Sequence, residues 1–183
     1  MTQPGGHRRI DRVLAADFVE RLNQVSLDEL REMRSEAEQE ETDLSYLRRL
    51  LQGRMDILRA EVDRRSGKDG GSLIDRLPGI LADESAHDAP HGSGRHAVAE
   101  PSRADMHRRH VEALVADVDL SNPCAHDDDS LHRVLDVLER EEHEVSTNRR
   151  AVQEVMDKLT AEVTRRYREG DASVADLLPS ESS

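Results

Sequence analysis

The sequence predicts an all-α protein, an elongated antiparallel coiled-coil helical hairpin with short accessory helices and a flexible linker. Two long stretches, residues 27–65 and 130–169, contain no helix breaker except Gly53, and both repeat apolar residues every seven positions. Charged residues make up 36% of the chain and aromatic residues 2%, with no tryptophan. Because large aromatic side chains supply much of core burial, this composition favours long helices that bury one narrow apolar stripe.

The N-terminal part is predicted to hold a short helix followed by the first long one. Residues 1–25 are interpreted as a tail and a short helix, whose apolar residues fall roughly on one face. Ser26 lies three residues before Glu29, which is the capping-box signature of a helix start. The first long helix is therefore placed at 26–65, where Gly53 costs about 1 kcal/mol relative to alanine.

Residues 66–129 are predicted to form a linker with short helices, since they are rich in Gly, Pro, Ser and His. One short helix is expected in "MHRRHVEALVADVDL", and an apolar island at 73–81 suits either a docking segment or a small local core. The acidic run "DDDS" then places negative charge where the dipole of a starting helix favours it. The second long helix is placed at 130–170, ending at Gly170, and residues 171–183 are interpreted as a C-terminal tail.

Both long helices carry an apolar heptad series. The first series is Leu30, Ala37, Leu44, Leu51 and Leu58, and the second is Leu131, Leu138, Val145, Val152 and Leu159. A shift of 101 residues converts one series into the other. Sustained heptads of this kind predict a coiled-coil seam between the two helices.

The same shift relates two copies of a polar motif, E-x3-S-x2-R-x3-Q-x3-D. The first copy is Glu41, Ser45, Arg48, Gln52 and Asp56, and the second is Glu142, Ser146, Arg149, Gln153 and Asp157. In each copy Glu and Arg occupy companion seam positions where leucine would stabilise the pair more. The seam is therefore predicted to be polar in its middle for a reason other than stability.

The direction of the second helix decides where the two motifs lie. At about 100° per residue, each motif covers an arc of roughly 80° beside the heptad stripe. An antiparallel pair puts both motifs on one open face, whereas a parallel pair puts them on opposite faces. The antiparallel hairpin therefore predicts one continuous polar site with two equivalent halves, which suits a ligand with two-fold symmetry.

The motif chemistry fits a cyclic dinucleotide that carries two guanines. A carboxylate can accept hydrogen bonds from guanine N1–H and its exocyclic amine, and arginine can stack on a purine, fork onto O6 and N7, or pair with phosphate. Serine and glutamine add adaptable donors and acceptors. Many other anionic ligands could use the same residue types.

The duplicated motif resembles that of the RsiG family of actinobacterial anti-sigma factors. All ten motif positions match, on two helices that cover nearly half of the chain. The resemblance implies that cyclic di-GMP, bound as a dimer, occupies these ten residues and helps to hold a WhiG-like sporulation sigma factor. It implies that the protein sequesters this sigma factor and so represses the transcription that the sigma factor directs.

Charge and cysteine usage restrict the class of protein. A net charge of −13 argues against direct DNA binding and favours a basic protein partner or solubility. Cys124 is the only cysteine, so an internal disulfide is impossible and a reducing compartment is expected. With no signal-like apolar segment and no run of about 18 apolar residues, the prediction is a cytoplasmic protein without membrane contact.

Three interpretations of the sequence are alternatives to a ligand-binding regulator: an enzyme, a metal-binding protein and a structural coiled coil. The chain shows no nucleophile elbow, phosphate loop or paired catalytic carboxylates, so a non-enzymatic protein is predicted. His107, His110, His126 and His132 have no cysteine partner and no H-E-x-x-H element, so they are interpreted as linker residues and no metal is predicted. The polar motifs could also be solvated faces or fix the register of the coiled coil. The alternative function is then a structural coiled-coil adaptor or scaffold without a small ligand.

Overall fold

The structure, a computed structural model, describes residues 8–67 and 100–170, and the regular elements within those ranges are all helical. The apolar island at 73–81 and the C-terminal tail lie outside the described residues. In chain order the elements are α1 (Arg9–Val13), α2 (Ala16–Glu20), α3 (Leu27–Arg65), α4 (Ala104–Leu114), a 3-10 turn (Pro123–Ala125) and α5 (Asp128–Glu169).

The long helices α3 and α5 pack against each other in opposite directions, which confirms the predicted all-α antiparallel hairpin. The chain divides into two compact units. The first unit combines residues up to Ser45 with residues from Val145 onward, and there Arg31 Nη2 donates to Tyr167 Oη at 2.7 Å. The second unit is Tyr46–Glu144, in which Arg65 Nη1 donates to Asp128 Oδ1 at 2.6 Å. In the second unit the end of α3 thus lies beside the start of α5.

The heptad residues form the core between α3 and α5. All ten are buried, with relative exposures between 0% and 6%. Burying a leucine side chain contributes about 1.5–3 kcal/mol, so the seam is a major source of the apolar stabilisation of the pair. The prediction of a coiled-coil seam is confirmed at each of these positions.

Side-chain caps fix the first turn of both long helices. The Ser26 N–H donates to Glu29 Oε2 at 2.8 Å and the Glu29 N–H donates to Ser26 Oγ at 3.2 Å, which is the predicted capping box. At α5 the Ser130 N–H donates to Asp127 Oδ1 at 2.7 Å. These backbone hydrogen bonds lower the pKa of Glu29 and of Asp127. Because Asp127 acts as the cap, α5 begins two residues before the predicted start.

The accessory helices differ in detail from the prediction. The single helix expected near the N-terminus is two helices, because Ala15 adopts extended backbone with φ −67° and ψ 139° and separates α1 from α2. Helix α4 ends at Leu114, although a helical pattern continues to about residue 120. Residues 115–118 form turns instead of a further helical turn, and Val115 and Val118 are buried there.

A pair of equivalent arginines ties the end of each long helix to the chain that leads into the other. In the second unit Arg65 Nη2 donates to the carbonyl oxygen of Pro123 at 3.2 Å. In the first unit Arg166 Nη2 donates to the carbonyl oxygen of Leu22, and its Nη1 donates to that of Val25 at 2.8 Å. The shift of 101 residues converts Arg65 into Arg166 and Leu22 into Pro123. We call these contacts the arginine clasps.

Candidate functional site

The first unit contains a polar cluster centred on Glu41, which we call the first cluster. One carboxylate oxygen, Glu41 Oε1, accepts from Ser45 Oγ at 2.9 Å, Arg149 Nε at 3.1 Å and Gln153 Nε2 at 3.2 Å. Arg149 Nε also donates to a second acceptor, Ser45 Oγ, at 2.9 Å. Helix α3 supplies Glu41 and Ser45, and α5 supplies Arg149 and Gln153. These four motif residues therefore form one hydrogen-bonded group.

The second unit contains the equivalent group, which we call the second cluster. Glu142 Oε1 accepts from Arg48 Nε at 3.0 Å and from Gln52 Nε2 at 3.4 Å. Here α5 supplies the glutamate and α3 supplies the arginine and the glutamine. The shift of 101 residues converts each of these residues into its counterpart in the first cluster.

Each cluster combines residues of both motif copies. The first cluster takes its glutamate from the first copy and its arginine and glutamine from the second copy, and the second cluster reverses this assignment. This exchange follows from the antiparallel pairing within each unit, since a glutamate faces the arginine of the other helix. A single motif copy therefore cannot build either cluster in this chain.

The charged pairs of both clusters are half-buried. In the first cluster the Glu41 and Arg149 side chains are 22% and 29% exposed, and in the second cluster Arg48 and Glu142 are 36% and 21% exposed. Ion pairs with this exposure add little to stability, typically about 0–1 kcal/mol. Both ion pairs are therefore partly open to solvent at the surface of the coiled coil.

The aspartates of the motif are more exposed than its glutamates. Asp56 is 43% exposed, and its Oδ1 lies 3.9 Å from Arg59 Nη1, while Asp157 is also exposed. Ser146 is half-buried on α5. Both aspartates thus present carboxylate oxygens that a ligand can reach. Arg49 and Arg150, which follow the motif arginines in the sequence, are exposed.

Sequence reasoning missed a second duplicated group, next to the arginine clasps. Glu61 accepts from Arg64 and Arg65, and Glu162 accepts from Arg165 and Arg166. The hydrogen bond from Arg64, with that from Arg65, lowers the pKa of Glu61 to about 2. The equivalent bonds from Arg165 and Arg166 lower the pKa of Glu162 to about 2.

A signal for this group was present in the sequence. "EVDRR" at 61–65 and "EVTRR" at 162–166 obey the same shift as the motif. Because Arg65 and Arg166 bond to backbone carbonyls as well as to the buried glutamates, this group holds the ends of the helices together.

Three of the histidines make polar contacts, one of them between helices α4 and α5. His110 Nε2 lies 2.9 Å from Glu141 Oε1, the Asp119 N–H donates to His126 Nε2 at 2.9 Å, and His132 Nδ1 lies 2.7 Å from the Asp128 carbonyl oxygen. Within 8–67 and 100–170, no group of three His, Cys, Asp or Glu residues could hold a metal ion. In the same part of the chain, every helix is too short or too polar to cross a membrane.

Fold and site together define a class: a two-helix antiparallel coiled coil with a duplicated, half-exposed polar cluster. The family model described as RsiG-like matches residues 16–81 and 117–181, which is more than half of the chain. The chain therefore belongs to the RsiG-like family, a family of regulatory anti-sigma factors and not of enzymes. The two matched segments begin 101 residues apart, in agreement with the internal repeat. A comparison with curated proteins gave no match.

Proposed function

We propose that this protein is an anti-sigma factor that binds cyclic di-GMP at its duplicated motifs and sequesters a WhiG-like sporulation sigma factor in the cytoplasm. The observation that carries the proposal is the formation of two equivalent Glu–Arg–Gln clusters, each built from both motif copies. The duplication of the cluster matches the duplication of guanine and phosphate in the ligand. Membership of an anti-sigma family supports the sigma factor as partner.

The ten motif residues divide by chemistry in this proposal. Arg48 and Arg149 supply cationic, planar groups that stack on guanine, fork onto its O6 and N7, or pair with phosphate. Asp56 and Asp157 are exposed carboxylates that accept from guanine N1–H and its amine. The remaining positions, Glu41, Ser45, Gln52, Glu142, Ser146 and Gln153, complete the binding surface. The ligand is bound as a dimer of cyclic di-GMP.

Linkage gives the regulatory mechanism. A ligand that binds the complex of anti-sigma and sigma factor better than the separate proteins must tighten their association by the same factor. The bound sigma factor is then withheld from polymerase and from promoter DNA. A net charge of −13 speeds encounter with the basic surfaces of a sigma factor and disfavours direct binding of this protein to DNA.

Calorimetric titration tests this function. Cyclic di-GMP is titrated into the full chain alone and into an equimolar mixture with a WhiG-like sigma factor. Heat of binding in at least one of the two titrations is expected, together with stronger capture of the sigma factor on immobilised protein when the ligand is present. Absence of heat in both titrations would leave the coiled-coil adaptor as the better description.

A matched variant makes the titration specific. Arg34 Nε donates to Glu38 Oε1 at 2.7 Å on α3, so it forms an ion pair outside the motif, and its side chain is 34% exposed against 36% for Arg48. Arg34→Ala should bind cyclic di-GMP like the unmodified protein, whereas Arg48→Ala should not. Equal losses in the two variants would mean that binding follows general charge and not the motif.

A further inference from the structure

In the first cluster, one carboxylate oxygen of the glutamate accepts all of the hydrogen bonds that link the other three residues to it. Glu41 Oε1 accepts from three donors: Ser45 Oγ, Arg149 Nε and Gln153 Nε2. Two of these donors come from the opposite helix, so Glu41 links α3 to α5 within the first unit. Its side chain is 22% exposed, which is less than the exposure of Asp56 or of Asp157. These contacts indicate that Glu41 fixes the positions of the side chains that donate to it.

The arginine is held through one edge of its guanidinium group. Arg149 uses Nε for both of its contacts, to Glu41 and to Ser45. Among the described residues its terminal Nη groups make no hydrogen bond. A guanidinium is planar, with five N–H donors in a fixed fork, so fixing the Nε edge fixes the plane. The four remaining donors on the Nη groups are left for a ligand.

We propose that Glu41 and Glu142 are positioning residues, which orient Arg149 and Arg48 for the nucleotide and do not contact it themselves. This inference rests on the proposed function and changes the role of two of its ten residues. The second cluster supports it independently, because Glu142 Oε1 again accepts from the arginine Nε, at 3.0 Å, and from the glutamine, at 3.4 Å. A carboxylate placed against the phosphates of the ligand would repel them, whereas a carboxylate behind the arginine orients it.

Binding measurements distinguish positioning from direct contact. Glu41→Ala should weaken cyclic di-GMP binding by roughly the same factor as Arg149→Ala, about tenfold or more for a lost charge-assisted contact. Adding Glu41→Ala to Arg149→Ala should cause no further loss, since residues that act through one contact are not additive. Glu41→Gln keeps an acceptor oxygen and should retain most of the affinity and the preference for guanine over adenine. A direct guanine contact predicts additive losses and a lost guanine preference in Glu41→Gln.

A measurement without ligand separates this inference from the proposed function. The Nε–H of Arg149, observed by NMR in the full-length protein, should exchange slowly with water in the unmodified chain and in Glu41→Gln, and rapidly in Glu41→Ala. Glu38→Ala is the matched control, because Glu38 also accepts from an arginine Nε, that of Arg34 at 2.7 Å, and lies on the same helix outside the motif. Circular dichroism checks that each variant remains helical.

Three results would overturn the positioning role. They are an unchanged Arg149 signal in Glu41→Ala, binding by Glu41→Ala that is as tight as in the unmodified chain or tighter, and additive losses in the double variant. If no variant and no unmodified protein binds cyclic di-GMP while the Arg149 signal still depends on Glu41, the proposed ligand fails and the orientation of the arginine by Glu41 stands.

Discussion

At the residue scale, the motif places charge where a coiled coil usually places leucine. The Glu41–Arg149 and Arg48–Glu142 pairs are half-buried and bridge the helices, yet pairs of this kind stabilise a fold only weakly. The ten heptad residues carry the packing instead, since all of them are buried. In the proposed function, stability and recognition are thus assigned to different residues on neighbouring stripes of the same helices, so we expect that one can be changed without the other.

Removing either motif arginine should abolish tight ligand binding but not the fold. Arg48→Ala and Arg149→Ala each lose a charge-assisted contact worth about 1.5–3 kcal/mol, so affinity for cyclic di-GMP should fall by roughly ten- to 150-fold. Circular dichroism should show nearly unchanged helicity. Loss of helix in either variant would show instead that the arginine is structural.

The aspartates should determine which base is recognised. Asp56→Asn keeps the size of the side chain but replaces one acceptor oxygen with a donor, which opposes the N1–H and amine of guanine. Its affinity should fall for cyclic di-GMP and shift in relative terms toward a cyclic dinucleotide with another base. Asp136→Asn, an exposed position on α5 outside the motif, is the control. A uniform loss for all cyclic dinucleotides would contradict the role of Asp56 in reading guanine.

At the scale of elements, the ends of the long helices are fastened by polar contacts. Capping residues satisfy the first turns of α3 and α5, and the arginine clasps bind the carbonyls that precede each of these helices. The clasp arginines are themselves held by buried carboxylates, Glu61 and Glu162. The helix ends therefore depend on two carboxylates staying ionised.

This dependence predicts a loss of stability in acid. The pKa of Glu61 and of Glu162 is about 2 in the folded protein, against about 4.3 in an unfolded chain. A lowered pKa means that the stabilisation is present above the unfolded value and is lost as pH falls from about 4.3 toward about 2. Urea unfolding at a series of pH values should show this decline.

Neutral variants test which carboxylates cause the decline. Glu61→Gln and Glu162→Gln should be less stable than the unmodified chain at neutral pH, and their stability should depend less on pH in this window. Glu154→Gln, an exposed position on α5, should keep the full decline. If all three variants kept it, other carboxylates would be responsible.

At the scale of the whole molecule, the two sequence repeats do not correspond to the two compact units. The first unit joins the beginning of the first repeat to the end of the second, and the second unit joins the remaining halves. Equivalent contacts recur in both units: a Glu–Arg pair in each cluster and an arginine clasp at each helix end. Each unit therefore requires both repeats, and the direction of pairing decides whether the clusters form.

Cross-linking within the second unit tests that direction. In a Cys124→Ser background, Arg59→Cys with Glu139→Cys should react efficiently with a short bifunctional maleimide, because the native side chains meet at 2.7 Å. The control pair is Arg49→Cys with Asp129→Cys, both exposed. Antiparallel pairing places these two at opposite ends of the paired segments, so the control should remain uncross-linked. Failure of the Arg59–Glu139 pair to cross-link would contradict antiparallel pairing in this unit.

The sequence by itself determined the helices and their seam. The Ser26–Glu29 capping box and the break after residue 65 are local signals, so the bounds of α3 were predicted to within one residue. The heptad period identified the buried face, because a seven-residue repeat keeps one stripe of the helix turned toward a partner helix. The start of α5 and the splitting of the N-terminal helix were predicted less well, because a side-chain cap and one extended residue decided them.

Only the tertiary structure decided which charges meet. Glu41 bonds to an arginine 108 residues away, Glu142 to one 94 residues away, and Arg166 to a carbonyl 144 residues away. The motif spacing is the same whether a glutamate pairs with the other helix or points into solvent, so no local pattern distinguishes these outcomes. The antiparallel register brings the glutamate of one copy to the arginine of the other, because each unit pairs the first half of one repeat with the second half of the other.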